Sequence, residues 1–179
     1  TVLNIPNFYT ATKIFNEMCC KLYKELYGLE TVILRYASVY GDNEDSKKNL
    51  ANVLSQFIWK MTKNEKPDIW GKGDQTRDFI FVDDVVSANI FAAESLKHGI
   101  YNVGTGVETK FIDIVARINE CLGTSIEPNY VPIGNSTVQK KYVDKQLFDT
   151  SKLAGRGWRA MISIDEGIRR IVEDIKMRK

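Results

Sequence analysis

Short apolar runs without alternating polarity recur along this chain and are separated by helical patterns. Residues 31–36 read TVILRY, residues 79–82 read FIFV and residues 100–103 read IYNV. Such runs predict strands that are buried on both faces, which is typical of parallel sheets covered by helices. The alternation of strands and helices therefore predicts an α/β fold of Rossmann-like architecture.

Four segments show the apolar spacing of amphipathic helices, namely residues 9–26, 49–63, 111–122 and 163–177. Gly28 stands where a helix C-terminal glycine belongs. Thr109 is the expected N-cap of the helix over 111–122, and Asp83 or Asp84 is expected to cap a further helix that follows FIFV. For a chain of 179 residues with 44% hydrophobic content, one domain is the expectation.

The charge balance argues against nucleic acid and anionic membranes as partners. The chain has 25 basic and 23 acidic residues, a net charge of +2, and its lysines are scattered. A small molecule is therefore the expected partner. Cys19 and Cys20 fit neither a disulfide framework nor a metal site, and they are predicted to be reduced and buried. Without a long apolar stretch or a signal-peptide pattern, the expected location is the cytoplasm.

Tyr9 and Lys13 are one helical turn apart, so both side chains project from the same face of the first helix. A lysine ammonium close to a phenol favours the phenolate, which can accept a proton from a substrate hydroxyl. This spacing is equally compatible with a solvated helix turn. The context of the pair must therefore decide between the two interpretations.

Four sequence blocks follow one another in a recognisable order. They are P-x-x-Y-x-x-x-K from Pro6, L-R-Y-x-x-V-Y-G from Leu34, G-x-G-x-x-x-R-D-F-I-x-V-x-D from Gly71 and Y-N-V-G-T-G from Tyr101. DTSK at 149–152 and SIDEGI at 163–168 add a fifth block. Together they resemble an extended short-chain dehydrogenase/reductase, and they are most similar to the NAD-dependent nucleotide-sugar epimerases and dehydratases of the UDP-glucose 4-epimerase type.

The resemblance implies a role for several residues. Tyr9 is the catalytic base, and Lys13 holds the nicotinamide ribose and favours the Tyr9 phenolate. The loop after LRY lines the nicotinamide and sugar pocket, which makes the residues Tyr9, Lys13, Tyr36, Ala37 and Ser38 the expected cofactor contacts. The implied cofactor is NAD, and NADP is not excluded.

The resemblance also implies a nucleotide-sugar site formed by Ser38, Asn49, Leu50 and Arg77. The Arg77 guanidinium would grip the diphosphate. The alternatives are an N-cap for Asn49 and a surface salt bridge of Arg77 with Asp74 or Asp78.

The substrate end departs from the family pattern. Ser38 stands where many relatives carry an asparagine that contacts the sugar nucleotide. No clear phosphate motif is found in residues 132–146, where Lys140, Lys141 or Lys145 could substitute.

The glycine-rich turn that binds a dinucleotide precedes the tyrosine in this family, yet only eight residues precede Tyr9. GRGWRA at 155–160 satisfies the literal pattern, but no buried strand precedes it. The chain is therefore expected to be the C-terminal half of such an enzyme and inactive alone. Residues 1–66 and 84–122 are expected to form the Rossmann-like core, and residues 67–83 and 123–179 the nucleotide-sugar region.

In relatives, two helices build a homodimer, and the apolar spacing permits the same here through helices 9–27 and 49–63. The expected ligand is a nucleotide-diphosphate sugar such as UDP-glucose or UDP-galactose. Two alternatives to an enzyme remain open. One is a non-catalytic module that binds a nucleotide sugar, and the other is an assembly protein in which only the dimer helices function.

Overall fold

The computed structural model describes residues 7–133 and 143–178. The described helices are α1 (Phe8–Tyr27), α2 (Val53–Met61), α3 (Val82–Ser95), α4 (Phe111–Leu122), α5 (Ser151–Ala154) and α6 (Ile164–Met177), with a 3-10 helix at Glu44–Leu50. The strands are β1 (Val32–Tyr36), β2 (Ser38–Tyr40), β3 (Asp68–Trp70), β4 (Thr76–Phe81), β5 (Gly99–Val103), β6 (Glu108–Lys110) and β7 (Asn129–Val131). Within these residues, no helix is both long enough and apolar enough to cross a membrane.

Parallel pairing joins strands that are far apart in the sequence. β1 runs parallel to β5, from Val32 opposite Gly99 to Tyr36 opposite Val103. β2 runs parallel to β4, and β3 runs parallel to β7, while β6 is antiparallel to β4. The α/β fold with parallel strands that the sequence predicts is confirmed.

One hydrophobic core forms where α2, α4 and α6 pack against β4 and against one another. The buried apolar residues of α2 recur at i, i+3, i+4 and i+7, and they are Leu54, Phe57, Ile58 and Met61. The apolar face of α2 is therefore buried in the chain's own core. The prediction that helix 49–63 offers its apolar face to a second copy is wrong.

The predicted start of that helix is also wrong, because the segment breaks in two. The 3-10 helix ends at Leu50, Ala51 is extended, and α2 begins at Val53. The Asn52 side chain is the N-cap, since its Oδ1 accepts a hydrogen bond from the Leu54 N–H at 3.0 Å. Asn49 is therefore not the N-cap of α2.

A second core lies between α3, α5 and the strands. Its buried members include Ile80, Val85, Ala88, Tyr101, Val103 and Leu153. Lys152 closes this core at its edge, because its Nζ donates to the Ile100 carbonyl at 2.8 Å and lies 4.6 Å from the centre of the Tyr101 ring. The DTSK block thus fastens α5 to β5.

Two of the N-caps that the sequence suggests are replaced by other contacts. The buried Asp84 carboxylate accepts hydrogen bonds from the Met161 and Ile162 N–H groups at 3.0 and 2.9 Å, which ties the segment before α6 to α3. Thr109 lies in β6, and the N-cap of α4 is Lys110, whose side chain makes no capping bond. The observed roles of Asp84 and Thr109 depend on tertiary contacts that local sequence does not reveal.

α1 differs from the other long helices because none of its described residues is buried. It ends as expected at Gly28, which adopts a left-handed conformation with φ 67°. Cys19 and Cys20 carry free thiols and are only half-buried, so the prediction that they are buried is wrong. α1 is held to the remaining fold by polar contacts more than by apolar packing.

The main polar contact is a fork between β1 and α1. Arg35 Nε and Nη2 donate to the two Glu17 carboxylate oxygens at 2.7 and 2.6 Å. The hydrogen bonds from Arg35 hold the pKa of Glu17 below its usual value, which favours the charged pair. Since Glu17 follows Tyr9 and Lys13 at spacings of four, the fork fixes the side of α1 that carries all three.

The buried Asp78 carboxylate organises the turn between β5 and β6. It accepts hydrogen bonds from the Thr105 N–H at 2.8 Å, the Thr105 hydroxyl at 2.7 Å and the Gly106 N–H at 3.0 Å. A Cβ atom on Gly104 would lie 2.5 Å from Asp78 Oδ2, so only glycine leaves room for this approach. The R-D-F-I block and the Y-N-V-G-T-G block therefore contact each other through Asp78 and this turn.

We expect Asp78→Ala to lower the free energy of unfolding by about 3 kcal/mol, because the turn after β5 loses the buried carboxylate that accepts three of its hydrogen bonds. Urea unfolding followed by circular dichroism measures the change. Asp74→Ala is the matched control, since Asp74 forms an exposed pair with Lys110, and it should cost less than about 0.5 kcal/mol. Equal losses in the two variants would contradict the role given to Asp78.

We expect Glu17→Gln to lower the free energy of unfolding by at most about 1 kcal/mol at pH 7, because the pair is partly exposed. The folded-state pKa of Glu17 lies below its unfolded value. The stabilisation is therefore present above the unfolded value of about 4.3 and is lost as the pH falls through the folded pKa.

The gap between wild type and Glu17→Gln should accordingly close on acidification, as measured by urea unfolding from pH 7 to pH 3. Glu25→Gln, an exposed position on the same helix, should show no such pH-dependent gap. A gap that widens in acid would contradict the fork.

Candidate active site

Tyr9 and Lys13 lie side by side at the start of α1. The Lys13 Nζ is 5.2 Å from the centre of the Tyr9 ring. α1 begins cleanly here because the Asn7 side chain accepts a hydrogen bond from the Thr10 N–H at 2.8 Å. Tyr9 is 71% exposed, so its hydroxyl can be reached by a ligand. A cation beside an accessible phenol is an arrangement that can support proton transfer.

The junction of β1 and β2 holds three further residues that the sequence singles out. The Ala37 N–H donates to the Val103 carbonyl at 2.8 Å, which closes the backbone against β5. The Tyr36 hydroxyl donates to Asn89 Oδ1 at 2.9 Å. These bonds place the junction at the C-terminal end of β1, where ligands of parallel α/β sheets usually bind.

Ser38 makes a contact that the sequence did not reveal. Its hydroxyl donates to Gln146 Oε1 at 2.9 Å, across 108 positions of sequence. The Gln146 backbone is held in turn, because its N–H donates to the Thr76 carbonyl at 3.2 Å. An amide side chain is thus brought to the position where many relatives carry an asparagine.

Arg77 lies on β4 beside an aromatic ring. Its Nη1 donates to the Thr76 carbonyl at 2.7 Å, and its guanidinium carbon is 5.5 Å from the centre of the Phe111 ring. The two aspartates proposed as alternative partners are engaged elsewhere, since Asp74 pairs with Lys110 and Asp78 binds the turn after β5. The arginine therefore stays at the edge of the Phe111 ring.

Phe111 also lines a cavity of about 320 Å³. The other lining residues come from the 3-10 helix, α2 and β3, and they are Asn49, Val53, Gln56, Phe57, Lys60, Asp68 and Trp70. The structure thus brings Asn49 and Arg77 close to the same aromatic cavity. Leu50 is not among the lining residues and is 85% exposed.

The rim of this cavity carries an ion pair between Asp68 and Lys60. The Asp68 carboxylate accepts hydrogen bonds from Lys60 Nζ and from Asn129 Nδ2, the latter at 2.8 Å. These bonds, the Lys60 bond first, hold the pKa of Asp68 below its usual value. Sequence reasoning missed Trp70 and Phe111, although the aromatic residue directly before the Gly71 block could have pointed to Trp70.

Of the three lysines proposed as phosphate ligands, one lies within the described residues. Lys140 and Lys141 lie outside the described residues. Lys145 pairs with Thr76 through an isolated parallel bridge, which places it in the chain segment that runs beside Arg77.

Two described turns with the look of a phosphate loop offer no pyrophosphate site. Gly155 caps the short helix α5, so the literal G-x-G-x-x-A match at 155–160 follows a helix and not a strand. The amides of Thr105 and Gly106 already serve the Asp78 carboxylate. These two turns therefore cannot cradle the phosphates of a dinucleotide.

Comparison with known proteins identifies the family. Residues 2–104 match the model of the NAD dependent epimerase/dehydratase family. A Methanocaldococcus jannaschii protein provisionally named UDP-glucose 4-epimerase is 40% identical over 168 residues, which cover 94% of this chain and 53% of that protein. This chain spans about half the length of the curated relatives it matches.

Solved structures agree. UDP-glucose 4-epimerase from Thermotoga maritima, solved with UDP-glucose, has a TM-score of 0.87 at 31% identity, covering 99% of this chain and 59% of that one. The Thermus thermophilus UDP-glucose 4-epimerase complex with NAD has a TM-score of 0.81 at 29% identity, covering 94% and 53%. The resemblance drawn from the sequence blocks and the partial Rossmann-like fold are both confirmed. The chain belongs to the NAD dependent epimerase/dehydratase family, whose members use NAD.

Proposed function

We propose that this chain is the part of an NAD-dependent nucleotide-sugar epimerase or dehydratase that binds the sugar nucleotide and supplies the catalytic base. The proposal rests above all on one observation, which is that Asn49, Trp70 and Phe111 line a single cavity and that the Arg77 guanidinium lies 5.5 Å from the centre of the Phe111 ring. The favoured ligand class is a nucleotide-diphosphate sugar such as UDP-glucose or UDP-galactose.

The cavity suits the nucleotide part of such a ligand. The exposed part of Trp70 can stack on a flat base, and such a stack contributes about 1–3 kcal/mol in nucleic-acid binding proteins, while the buried Phe111 forms part of the cavity wall. The Arg77 guanidinium can donate two parallel hydrogen bonds to the diphosphate from its place beside Phe111. The Asn49 amide can donate to the same phosphates from the opposite side.

The Ser38–Gln146 pair suits the sugar part. Ser38 occupies one end of the Gln146 amide, so its Nε2 end can donate to a sugar hydroxyl or a phosphate oxygen. Serine is too short to replace the asparagine of many relatives, but Gln146, to which Ser38 is hydrogen-bonded, supplies an amide at the same position. We assign both residues to the sugar pocket.

Tyr9 is the proposed base. As a phenolate it accepts the proton of a sugar hydroxyl, and the neighbouring Lys13 ammonium stabilises that negative charge. Bound NAD supplies an acceptor for the hydride that leaves the same sugar carbon. Lys13 can also donate to a ribose hydroxyl, and the backbone of Tyr36, Ala37 and Ser38 can line the nicotinamide. NADP stays open as an alternative.

Several finer assignments stay proposals. We assign residues 1–66 and 84–122 to the Rossmann-like core, and residues 67–83 and 123–179 to the nucleotide-sugar region. We expect the isolated chain to bind a sugar nucleotide without turning it over, since the described turns at 104–106 and 155–160 cannot hold the NAD phosphates. Epimerisation and dehydration both fit these residues, and a cytoplasmic location also stays a prediction.

We further propose that α1 mediates a homodimer. With roughly 3.6 residues per turn, its large apolar side chains form a stripe on the side opposite Glu17, namely Phe8, Phe15, Met18, Leu22 and Leu26. Each of these side chains is more than half exposed. An apolar stripe at this spacing is suited to packing against the same stripe of a second copy.

We expect isothermal titration calorimetry to detect UDP-glucose binding to the chain, and we expect Arg77→Ala to weaken it at least about 30-fold, since charged hydrogen bonds to the diphosphate are lost. Arg77→Lys keeps the charge without the fork and should fall in between. Arg117→Ala removes an exposed arginine paired with Asp165 and should leave the affinity within about twofold.

The same titration separates ligand binding from assembly, and an effect of saturating NAD on UDP-glucose affinity supports the enzyme. Binding of UDP-glucose that NAD leaves unchanged fits both the proposed part of an enzyme and the non-catalytic module. An absence of binding in wild type would rule out both and leave the assembly role.

We expect Leu22→Glu to convert the chain to a monomer, because it places a charge in the middle of the apolar stripe. Sedimentation velocity should then report 20.4 kDa for the variant and twice this mass for wild type. Asn16→Glu adds the same charge to an exposed position of α1 outside the stripe and should keep the dimer. A wild-type chain that sediments as a monomer would contradict the proposal.

A further inference from the structure

Glu44 is a buried carboxylate at the start of the 3-10 helix, and no sequence motif pointed to it. Its side chain is 7% exposed. Its Oε2 accepts a hydrogen bond from the Ser55 hydroxyl at 2.6 Å, and its Oε1 accepts from Lys47 Nζ at 2.9 Å and from the Asn52 N–H at 3.4 Å. A charge is buried in this way only where hydrogen bonds compensate for the lost water.

These bonds connect the first residue of the 3-10 helix to the first turn of α2. The segment between the two ends, residues 45–50, is exposed and includes Asn49 and Leu50. Gln56 fastens the same segment from α2, because its Nε2 donates to the Asn49 carbonyl at 3.3 Å and to the Ala51 carbonyl at 2.8 Å. The position of Asn49 is therefore determined by α2 through two separate sets of bonds.

The residue before Asn49 has an unusual backbone conformation. Lys48 has φ 51° and ψ −123°, which interrupts the 3-10 helix. Residues other than glycine rarely adopt such angles, and they persist where the surrounding structure enforces them. The bonds of Glu44 and Gln56 on either side provide that enforcement. A kink at this point turns the chain immediately before the residue that lines the cavity.

Asn49 is among the residues that line two cavities. One is the aromatic cavity of about 320 Å³ beside Arg77. The other has about 610 Å³ and is lined by residues of the same segment together with Asp174 and Arg178 from the end of the chain. Without the bonds to α2, the Asn49 amide could turn toward either space. The Glu44 carboxylate thus influences which of the two cavities the Asn49 amide faces.

We propose that Glu44 is a positioning residue, whose hydrogen bonds to Ser55 and Asn52 hold Asn49 at the aromatic cavity so that its amide can bind the diphosphate of a nucleotide sugar. This inference rests on the proposed function, since it presupposes that the cavity takes the nucleotide. It adds that the affinity is set in part by a residue that does not touch the ligand.

The test is calorimetric titration of the chain with UDP. Glu44→Gln removes the charge with little change in shape, and we expect it to weaken UDP binding about tenfold, with Ser55→Ala weakening it about fivefold. Asp45→Asn is the matched control, because it removes the same charge from the adjacent, exposed position of the segment. It should leave the affinity within about twofold.

A double-mutant cycle distinguishes positioning from a general loss of stability. In an Asn49→Ala background, Glu44→Gln should change UDP affinity by less than about twofold, because the amide that it positions is gone. The same loss with and without Asn49 would overturn the proposal. Amide hydrogen exchange should also accelerate in residues 45–51 of Glu44→Gln and stay unchanged in Asp45→Asn.

The outcomes also separate this inference from the proposed function. If wild type binds UDP and Glu44→Gln binds as well as Asp45→Asn, the positioning role is wrong and the binding function stands. If wild type does not bind UDP, the nucleotide site itself is wrong, and the positioning role is overturned with it. Ser55→Ala keeps the comparison decisive if Glu44→Gln fails to fold.

Discussion

The buried carboxylate of Asp78 is the interaction on which the edge of the sheet depends. β4 and β5 belong to different strand groups, one containing β2 and β6 and the other β1. Asp78 on β4 accepts the amides of the turn that leaves β5, so it joins the two groups beside the C-terminal end of β5. At the junction between β1 and β2, the Ala37 N–H also bonds β5. β2 and β4, which carry Ser38 and Arg77, are therefore joined to β1 and β5 in part through the Asp78 side chain.

A similar contact explains another pair of sequence blocks. Tyr40, the tyrosine of the V-Y-G block, is almost fully buried and packs on Gly167 in α6. A Cβ atom at Gly167 would lie 2.1 Å from the Tyr40 hydroxyl, so a glycine is required inside a helix where it otherwise costs stability. Burial also raises the pKa of Tyr40, which keeps the phenol neutral. Much of the recognisable pattern in this sequence therefore reflects packing and not catalytic chemistry.

The sequence could predict features that depend on local pattern and on family resemblance. Parallel strands followed from unbroken apolar runs, and Gly28 and the pairing of Tyr9 with Lys13 followed from helical spacing. Contacts between distant segments could not be predicted. The Ser38–Gln146 bond spans 108 positions, and the Asp84 carboxylate found its partners 77 and 78 positions away. The apolar face of α2 was also misassigned, because periodicity shows that a face exists but not what covers it.

The two parts of the proposed chemistry have unequal support. The cavity of Asn49, Trp70 and Phe111 is built on α2, β3 and α4, which are buried in one core and are joined by hydrogen bonds at several points. Tyr9 and Lys13 stand on α1, which has no buried residue and is tied mainly by the partly exposed Arg35–Glu17 fork. Ligand affinity and base placement therefore depend on separate contacts. A chain with this division can keep a complete nucleotide-sugar site while the position of its base responds to whatever packs on α1.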